Sequence, residues 1–386
     1  MNVKELMFAL VRSEICAAEI DTDALPDISS EVLDKLYVLS KRHDLAHIVA
    51  NALAKRGFIG ADAVSLKFQK EIMLAKNRYE RANYELSQIC ELLSEAKVTY
   101  MPLKGSVIRA LYATPWMRTS CDIDILVHEE QLDVAVTALC EKLGCTAGKK
   151  GPHDIPLNTP SGVHIELHYT LIEESVLPKA DKILSRVWEL SAPSGDDPNH
   201  FEMSDAMFYY YHIAHMAKHF VKGGCGVRPF IDLWIMHHSA VFYDESAKEL
   251  LAQGGLGEFA KKVYILSEIW LSERERDELS EDMEKFILDG GVYGNLENKV
   301  AISQVQKGGK FKYFMSRIFM PYDTIKFLYP VLYKHKWLLP FMQVRRWFRI
   351  IRRGRLRHSV TELRENGNMT KEQSLKTLEF LTRVGL

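Results

Sequence analysis

The hydrophobic positions of the chain change their period twice. Leu33, Leu36, Leu39, Leu45, Ile48, Val49 and Leu53 recur at roughly the 3.6-residue spacing of one helix face. Gly57 stands just beyond them, where a helix commonly ends in a left-handed residue. Residues 65–96 continue as a long charged and apolar stretch, again helical in pattern. The texture then shifts. VTYMPLKG, closing at Gly105, is short and rich in strand formers. After it come a helix-like SVIRALYA, a Pro–Trp turn and the strand CDIDILV. The helix EQLDVAVTALCEKLG, a polar stretch and the strand VHIELHYTL follow. Alternation of strands and helices predicts an α/β domain within 96–190. A helical region over 1–95 and a helical domain over 200–386 flank it. Between them SAPSGDDPNH, rich in Pro, Ser, Gly and Asp, reads as a linker.

Composition narrows the class. The 386 residues suffice for two or three domains, and 47% hydrophobic with 26% charged residues is ordinary for a soluble globular chain. The net charge of −1 favours no partner by itself. No run of 18 apolar residues suggests a spanning helix. Arg12 and Glu14 interrupt the N-terminal apolar stretch, so a secretory signal is not expected. Six cysteines without a CxxC pair suggest reduced thiols and a cytoplasmic location.

The candidate chemistry begins in CDIDILV. Residues two apart on a strand share a face, so Asp122 and Asp124 project together while Ile123 and Ile125 turn to a core. Two neighbouring carboxylates repel, and burying them unpaired is costly. A divalent cation resolves the conflict, because magnesium takes hard oxygen ligands from carboxylates and phosphates. On VHIELHYTL, His164, Glu166 and His168 share one face. Glu166 becomes a third carboxylate if the two strands are neighbours. Three acids can hold two metals, the arrangement that clamps the attacking and leaving oxygens of a phosphoryl displacement. Asp-x-Asp is short and often marks only a solvated strand end. The preceding MPLKGSVIRALY adds a strand, a Gly–Ser turn and a helix start. Gly105 permits close backbone approach, Ser106 can cap the helix and hold a phosphate, and Lys104 adds charge.

These residues together resemble the nucleotidyltransferase fold of the DNA polymerase β superfamily. More closely, LKGSVIRALYATPWMRTSCDIDILV resembles a bacterial family of uncharacterised nucleotidyltransferases, through Lys104, Gly105, Tyr112, Arg118, Asp122 and Asp124. Glu166 and His168 match that family's later acid-x-His pattern. The resemblance implies metal roles for Asp122, Asp124 and Glu166, and phosphate contacts from Lys104, Gly105, Ser106 and Arg118. Arg118 is alternatively a surface residue after the Pro–Trp turn.

In the helical half, His212, His215 and His219 line one helix face. His215 and His219 have zinc spacing, but Met216 stands where HExxH carries glutamate, so zinc is not expected. The resemblance implies instead that His215, Lys218, His219, Arg228 and Asp232, with His168 of the later strand, contact nucleotide or acceptor. The plain alternative is that they satisfy one another between helices. Asp232 is also a candidate general base. KGGCG lacks the P-loop pattern and reads as a turn.

Between 307 and 358, lysines and arginines face one acid, Asp323, with aromatics interleaved. The default is an amphipathic helix pair docked on the body. An anionic membrane surface or a partner protein comes next, and nucleic acid third.

The expectation is an α/β-plus-α nucleotidyltransferase. With Mg²⁺ or Mn²⁺ it would move an NMP from an NTP, ATP being the commonest donor, to a hydroxyl of an unidentified acceptor and release pyrophosphate. The rivals are a nucleotide-binding regulatory or membrane-surface protein on the same fold, and a nucleic-acid end-modifying enzyme.

Overall fold

The computed structural model describes residues 2–20, 28–173, 175–239, 242–292, 294–352 and 356–386. Residues 353 and 355 of the basic segment lie outside these ranges.

The first helical stretch is several helices: α1 (Val3–Ile15), α2 (Ser30–Arg42), α3 (Ala46–Lys55) and the 33-residue α4 (Ala63–Glu95). Periodicity alone ran α2 and α3 together. Asp44, with φ at +56°, breaks them. Gly57 ends α3 with φ at +75°, as its position predicts.

The sheet comes next. In chain order it comprises β1 (Tyr100–Pro102), the one-turn helix α5 (Gly105–Ile108), β2 (Asp122–Val127), α6 (Leu132–Lys142), β3 (Thr146–Ala147), β4 (Asp154–Asn158) and β5 (His164–His168). The strands are ordered β1-β2-β5-β4-β3, and only the β2–β5 pair is parallel. The polar stretch before β5 therefore supplies two strands, β3 of only two residues and β4 whose short alternation of Ile155 and Leu157 is interrupted by Pro156. One sheet face is dry. Ile123, Ile125, Val127, Ile165 and Leu167 pack there against Ile89 and Leu93 of α4 and Leu132 and Leu139 of α6.

After α7 (Pro178–Leu184), the expected linker is a hairpin of β6 (Ser191–Pro193) and β7 (Phe201–Met203). Its turn is fastened to β1, because Tyr100 N–H donates to Asn199 O at 2.8 Å and Tyr100 Oη to Asp197 at 2.9 Å. A Pro/Gly/Asp-rich turn serves a hairpin as well as a linker, and the sequence pattern does not separate them.

Helices follow: α8 (Asp205–Phe220), α9 (Arg228–His238), α10 (Glu245–Gln253), α11 (Gly257–Leu271), α12 (Glu278–Leu288) and α13 (Leu296–Lys307). The largest core joins Leu6 and Leu10 of α1 and Phe68 of α4 to Tyr209 and Phe220 of α8, Phe230 of α9 and Trp270 of α11. Leu126 of β2 and Met101 of β1 belong to it as well. The polar face of the sheet thus looks toward α8 and α9. The chain closes with α14 (Lys310–Ile318), α15 (Tyr322–Leu328), α16 (Val331–Lys334), α17 (Leu339–Arg352), α18 (Leu356–Asn368) and α19 (Lys371–Val384).

Candidate active site

The parallel register of β2 and β5 sets Asp124 directly beside Glu166, and Leu126 beside His168. All four side chains lie on the face away from the dry core, as the two-residue period requires. Asp124 is 3% exposed and Glu166 is 29% exposed, so the face grades from buried to open. One ligand atom from each of Asp124, Glu166 and His168 falls within a 4.8 Å cluster. His168 Nε2 lies 2.9 Å from Asp124 Oδ1 and 3.4 Å from Glu166 Oε2. Lys104 Nζ donates to the same Asp124 oxygen at 2.8 Å.

The electrostatics follow from this packing. Burial opposes the Asp124 carboxylate, but Lys104 and His168 outweigh it and hold its pKa below the usual range. Burial likewise opposes the His168 cation, and its bonds to Asp124 and Glu166 raise its pKa regardless. For Lys104, burial is offset by Tyr211, Asp124 and Glu166, and its pKa is raised.

The donor set suits a divalent cation. Asp124 and Glu166 offer the hard oxygens that Mg²⁺ and Mn²⁺ accept, and the His168 nitrogen is a better ligand for Mn²⁺ than for Mg²⁺. Asp122 stands apart from this cluster, although it shares the face. It accepts from Ser120 Oγ at 2.8 Å and remains partly open. The sequence assigned the ligands as Asp122, Asp124 and Glu166. The structure gathers Asp124, Glu166 and His168, because β5 continues past Glu166 and turns its next same-face side chain onto Asp124.

The Gly–Ser turn also differs from expectation. The residue before α5 is Lys104, whose φ of +45° turns the chain sharply and aims its side chain at Asp124. Ser106 lies within the first turn, not at its cap. Its N–H bonds Leu103 O, Val107 N–H bonds Lys104 O, and the Ser106 Oγ is buried without a partner. The first turn therefore has fewer free amides for a phosphate than a capped helix would. Gly105 performs a packing role: a Cβ there would meet Arg118 Nη1 and Ser120 Oγ, each at 3.2 Å.

Arg118 is buried, not a surface residue. Its Nε donates to both Asp232 oxygens at 2.8 and 3.0 Å, and Tyr112 Oη donates to Asp232 at 2.6 Å. Burial works against the Asp232 charge, and Arg118 nevertheless holds its pKa low. With both oxygens hydrogen-bonded, Asp232 ties the segment between β1 and β2 to α9, and it also lines the cleft. Arg228 donates to Asp44 Oδ2 at 2.8 Å and to Thr119 O at 2.9 Å. His215 and His219 meet at 3.2 Å through their Nε2 atoms. Burial pushes His215 well below its ordinary pKa and His219 down to about 4, so both rings are neutral. Lys218 pairs with Glu173, whose pKa falls to about 2 because that lysine outweighs burial.

Asp122, Asp124, Glu166, Lys104, Lys218 and Arg228 line one cleft of about 520 Å³, which also reaches Lys41, Arg78 and Tyr211, while His168 lies behind Asp124 and Glu166 outside its lining. Asp44, Glu173, Arg78 and Tyr211 were missed from the sequence. Asp44 sits at a helix break and Glu173 after β5, and neither carries a motif. Only the folded arrangement brings α2, β5 and α8 to one opening.

A mixed sheet with paired acids on one face, opening on a helix-lined cleft, defines a nucleotidyltransferase-type domain. The family model for "Uncharacterised nucleotidyltransferase" matches residues 29–272, and the chain belongs to that family. Among curated proteins none matches. A solved structure of the antibiotic-resistance factor ANT(2'')-Ia, determined in solution, is similar at 13% identity, with a TM-score of 0.28 over 50% of this chain and 91% of that one. A likeness this loose carries no argument about the present chain.

Proposed function

We propose that the protein transfers a nucleoside monophosphate from an NTP, with ATP the favoured donor, to a hydroxyl of an acceptor bound in the cleft. The observation that carries this reading is the Asp124–Glu166 pair, set side by side by parallel register at a cleft lined with cations. Asp124 and Glu166, with His168, would hold Mg²⁺ or Mn²⁺; Asp122 lines the same cleft outside that cluster. The cation would neutralise charge on the transferring phosphoryl group.

The chain's own residues do the positioning. Lys104 and Lys218 place positive charge over the polar face, and Arg78 is a further cation at the opening. Neutral His215 and His219 offer hydrogen bonds without adding charge. The acceptor oxygen attacks the α-phosphorus, the bond from that phosphorus to the α–β bridging oxygen breaks, pyrophosphate leaves, and the hydroxyl proton passes to solvent. Holding both reactants in one cleft supplies much of the acceleration, since this chemistry depends on alignment and charge.

The test is calorimetry of ATP with Mg²⁺, followed by transfer of label from α-labelled NTPs to candidate acceptors. Wild type is expected to bind only with the cation, and Asp124→Asn and Glu166→Gln to lose binding. Equal binding by wild type and both variants would overturn the metal assignment.

A further inference from the structure

The last third of the chain carries a face that nucleotidyl transfer does not use. The inner side of α17 is anchored. Gln343 exchanges hydrogen bonds with the Met320 backbone, and Arg346 and Trp347 both donate to Ile318 O. The outer side bears Phe341, Val344, Phe348 and Ile351, spaced three, four and three apart. That spacing makes one ridge along a helix. The four are 63%, 56%, 63% and 51% exposed. Trp337, 69% exposed, meets Phe341 edge-on at 6.4 Å and extends the ridge beyond the helix start. Single exposed apolar side chains are ordinary, but a continuous ridge marks an interaction surface.

The charge around the ridge identifies what covers it. Arg345 and Arg349 lie over the Tyr329 ring at 5.8 and 5.7 Å, beside the ridge, and Arg352 follows on the same flank. Among the described residues, no acid forms an ion pair with these three arginines. Asp323, the one acid of the segment, pairs with Lys326 at 2.9 Å. The cleft cations Lys104, Lys218 and Arg228, by contrast, each meet a carboxylate. A second copy on this face would bring arginines against arginines.

We propose that this face docks on an anionic phospholipid surface. α17 would lie in the headgroup plane, its aromatic ridge entering the acyl boundary and its arginines meeting lipid phosphates. Trp and Phe beside guanidinium groups on long apolar stems are the chemistry of interfacial helices. A bilayer also takes a convex ridge without a matching groove.

Flotation of the full chain with vesicles of phosphatidylcholine, with and without phosphatidylglycerol, tests this. The protein is expected to float with the anionic vesicles only, and less at high salt. Phe341→Ser with Phe348→Ser should abolish flotation. Arg345→Gln and Arg352→Gln should each weaken it about fivefold. Met73→Ser, an equally exposed apolar site on α4, should change nothing. All these positions are exposed, and an unchanged circular-dichroism spectrum shows that the variants fold. The proposal is overturned if anionic vesicles fail to bind, or if the ridge variants float as well as wild type. A concentration-dependent dimer that Phe348→Ser dissolves, without vesicle binding, would assign the face to a second copy instead. Capture of an acidic protein with no vesicle binding would assign it to a protein partner. None of these outcomes depends on transferase activity.

Discussion

The polar sheet face and the outer face of α17 are both rich in charge, and they are built in opposite ways. In the cleft each buried charge has a partner: Lys104 with Asp124, Arg118 with Asp232, Arg228 with Asp44. On the outer face of α17, Arg345 and Arg352 are exposed beside apolar side chains that are more than half exposed themselves. Burial makes the difference. A charge removed from water must be compensated within the fold, whereas an exposed arginine is already solvated and stays available to something outside. The cleft is therefore pre-arranged for a ligand that exchanges one set of charges for another. The α17 face waits for a surface.

This contrast can be broken most strongly inside the cleft. Asp232→Ala leaves Arg118 buried without its counter-charge, and should lower stability by about 3–5 kcal/mol in urea unfolding. Asp124→Ala strands Lys104 and His168 similarly, and should remove detectable label transfer as well. A stability near wild type in both would mean that these pairs are not buried in solution. Next comes Gly105→Ala. Its new methyl presses on Arg118 and Ser120, and about 1–3 kcal/mol of destabilisation is expected by the same measurement.

A pH series sharpens the comparison further. Burial holds the pKa of His43 and of His219 at about 4, against 6.5 for the free side chain. Both rings are neutral in the folded chain, while unfolding lets them take a proton below pH 6.5. Stability should therefore fall as pH drops from 6.5 toward 4, and His43→Leu should flatten that slope. The smallest effect belongs to α17. Phe348→Ser should shift stability by no more than about 0.5 kcal/mol, since the side chain is already in water. A large loss would show that the ridge packs on something in the free protein.

Much of the site was legible because strand periodicity is local. The pairing of Asp122 with Asp124, and of Glu166 with His168, follows from a period of two, and so does the dry face of Ile123 and Ile125. The amphipathic character of residues 339–352 is also a local property. What was not legible depended on partners distant in sequence. Lys104 and Arg118 were expected beside phosphate, and the ion pairs that hold them, to Asp124 and Asp232, could not be read from the sequence. Ser106 looked like a helix cap, yet the cap position is Lys104, two residues earlier. The Pro-rich SAPSGDDPNH looked like a linker, yet Tyr100 is bonded to its backbone and side chains.

By itself the sequence determined which strands carry the acids and which way those acids face, because side-chain direction along a strand is set by backbone geometry alone. It also determined that residues 307–358 concentrate positive charge. The tertiary structure decided that β2 and β5 lie side by side and parallel, which makes Asp124, Glu166 and His168 one cluster and leaves Asp122 at its edge. It also decided which cations are spent on internal carboxylates and which remain at the surface. Electrostatic pairing depends on distance through space, and only the fold brings residues such as Asp44 and Arg228, 184 positions apart, within 2.8 Å.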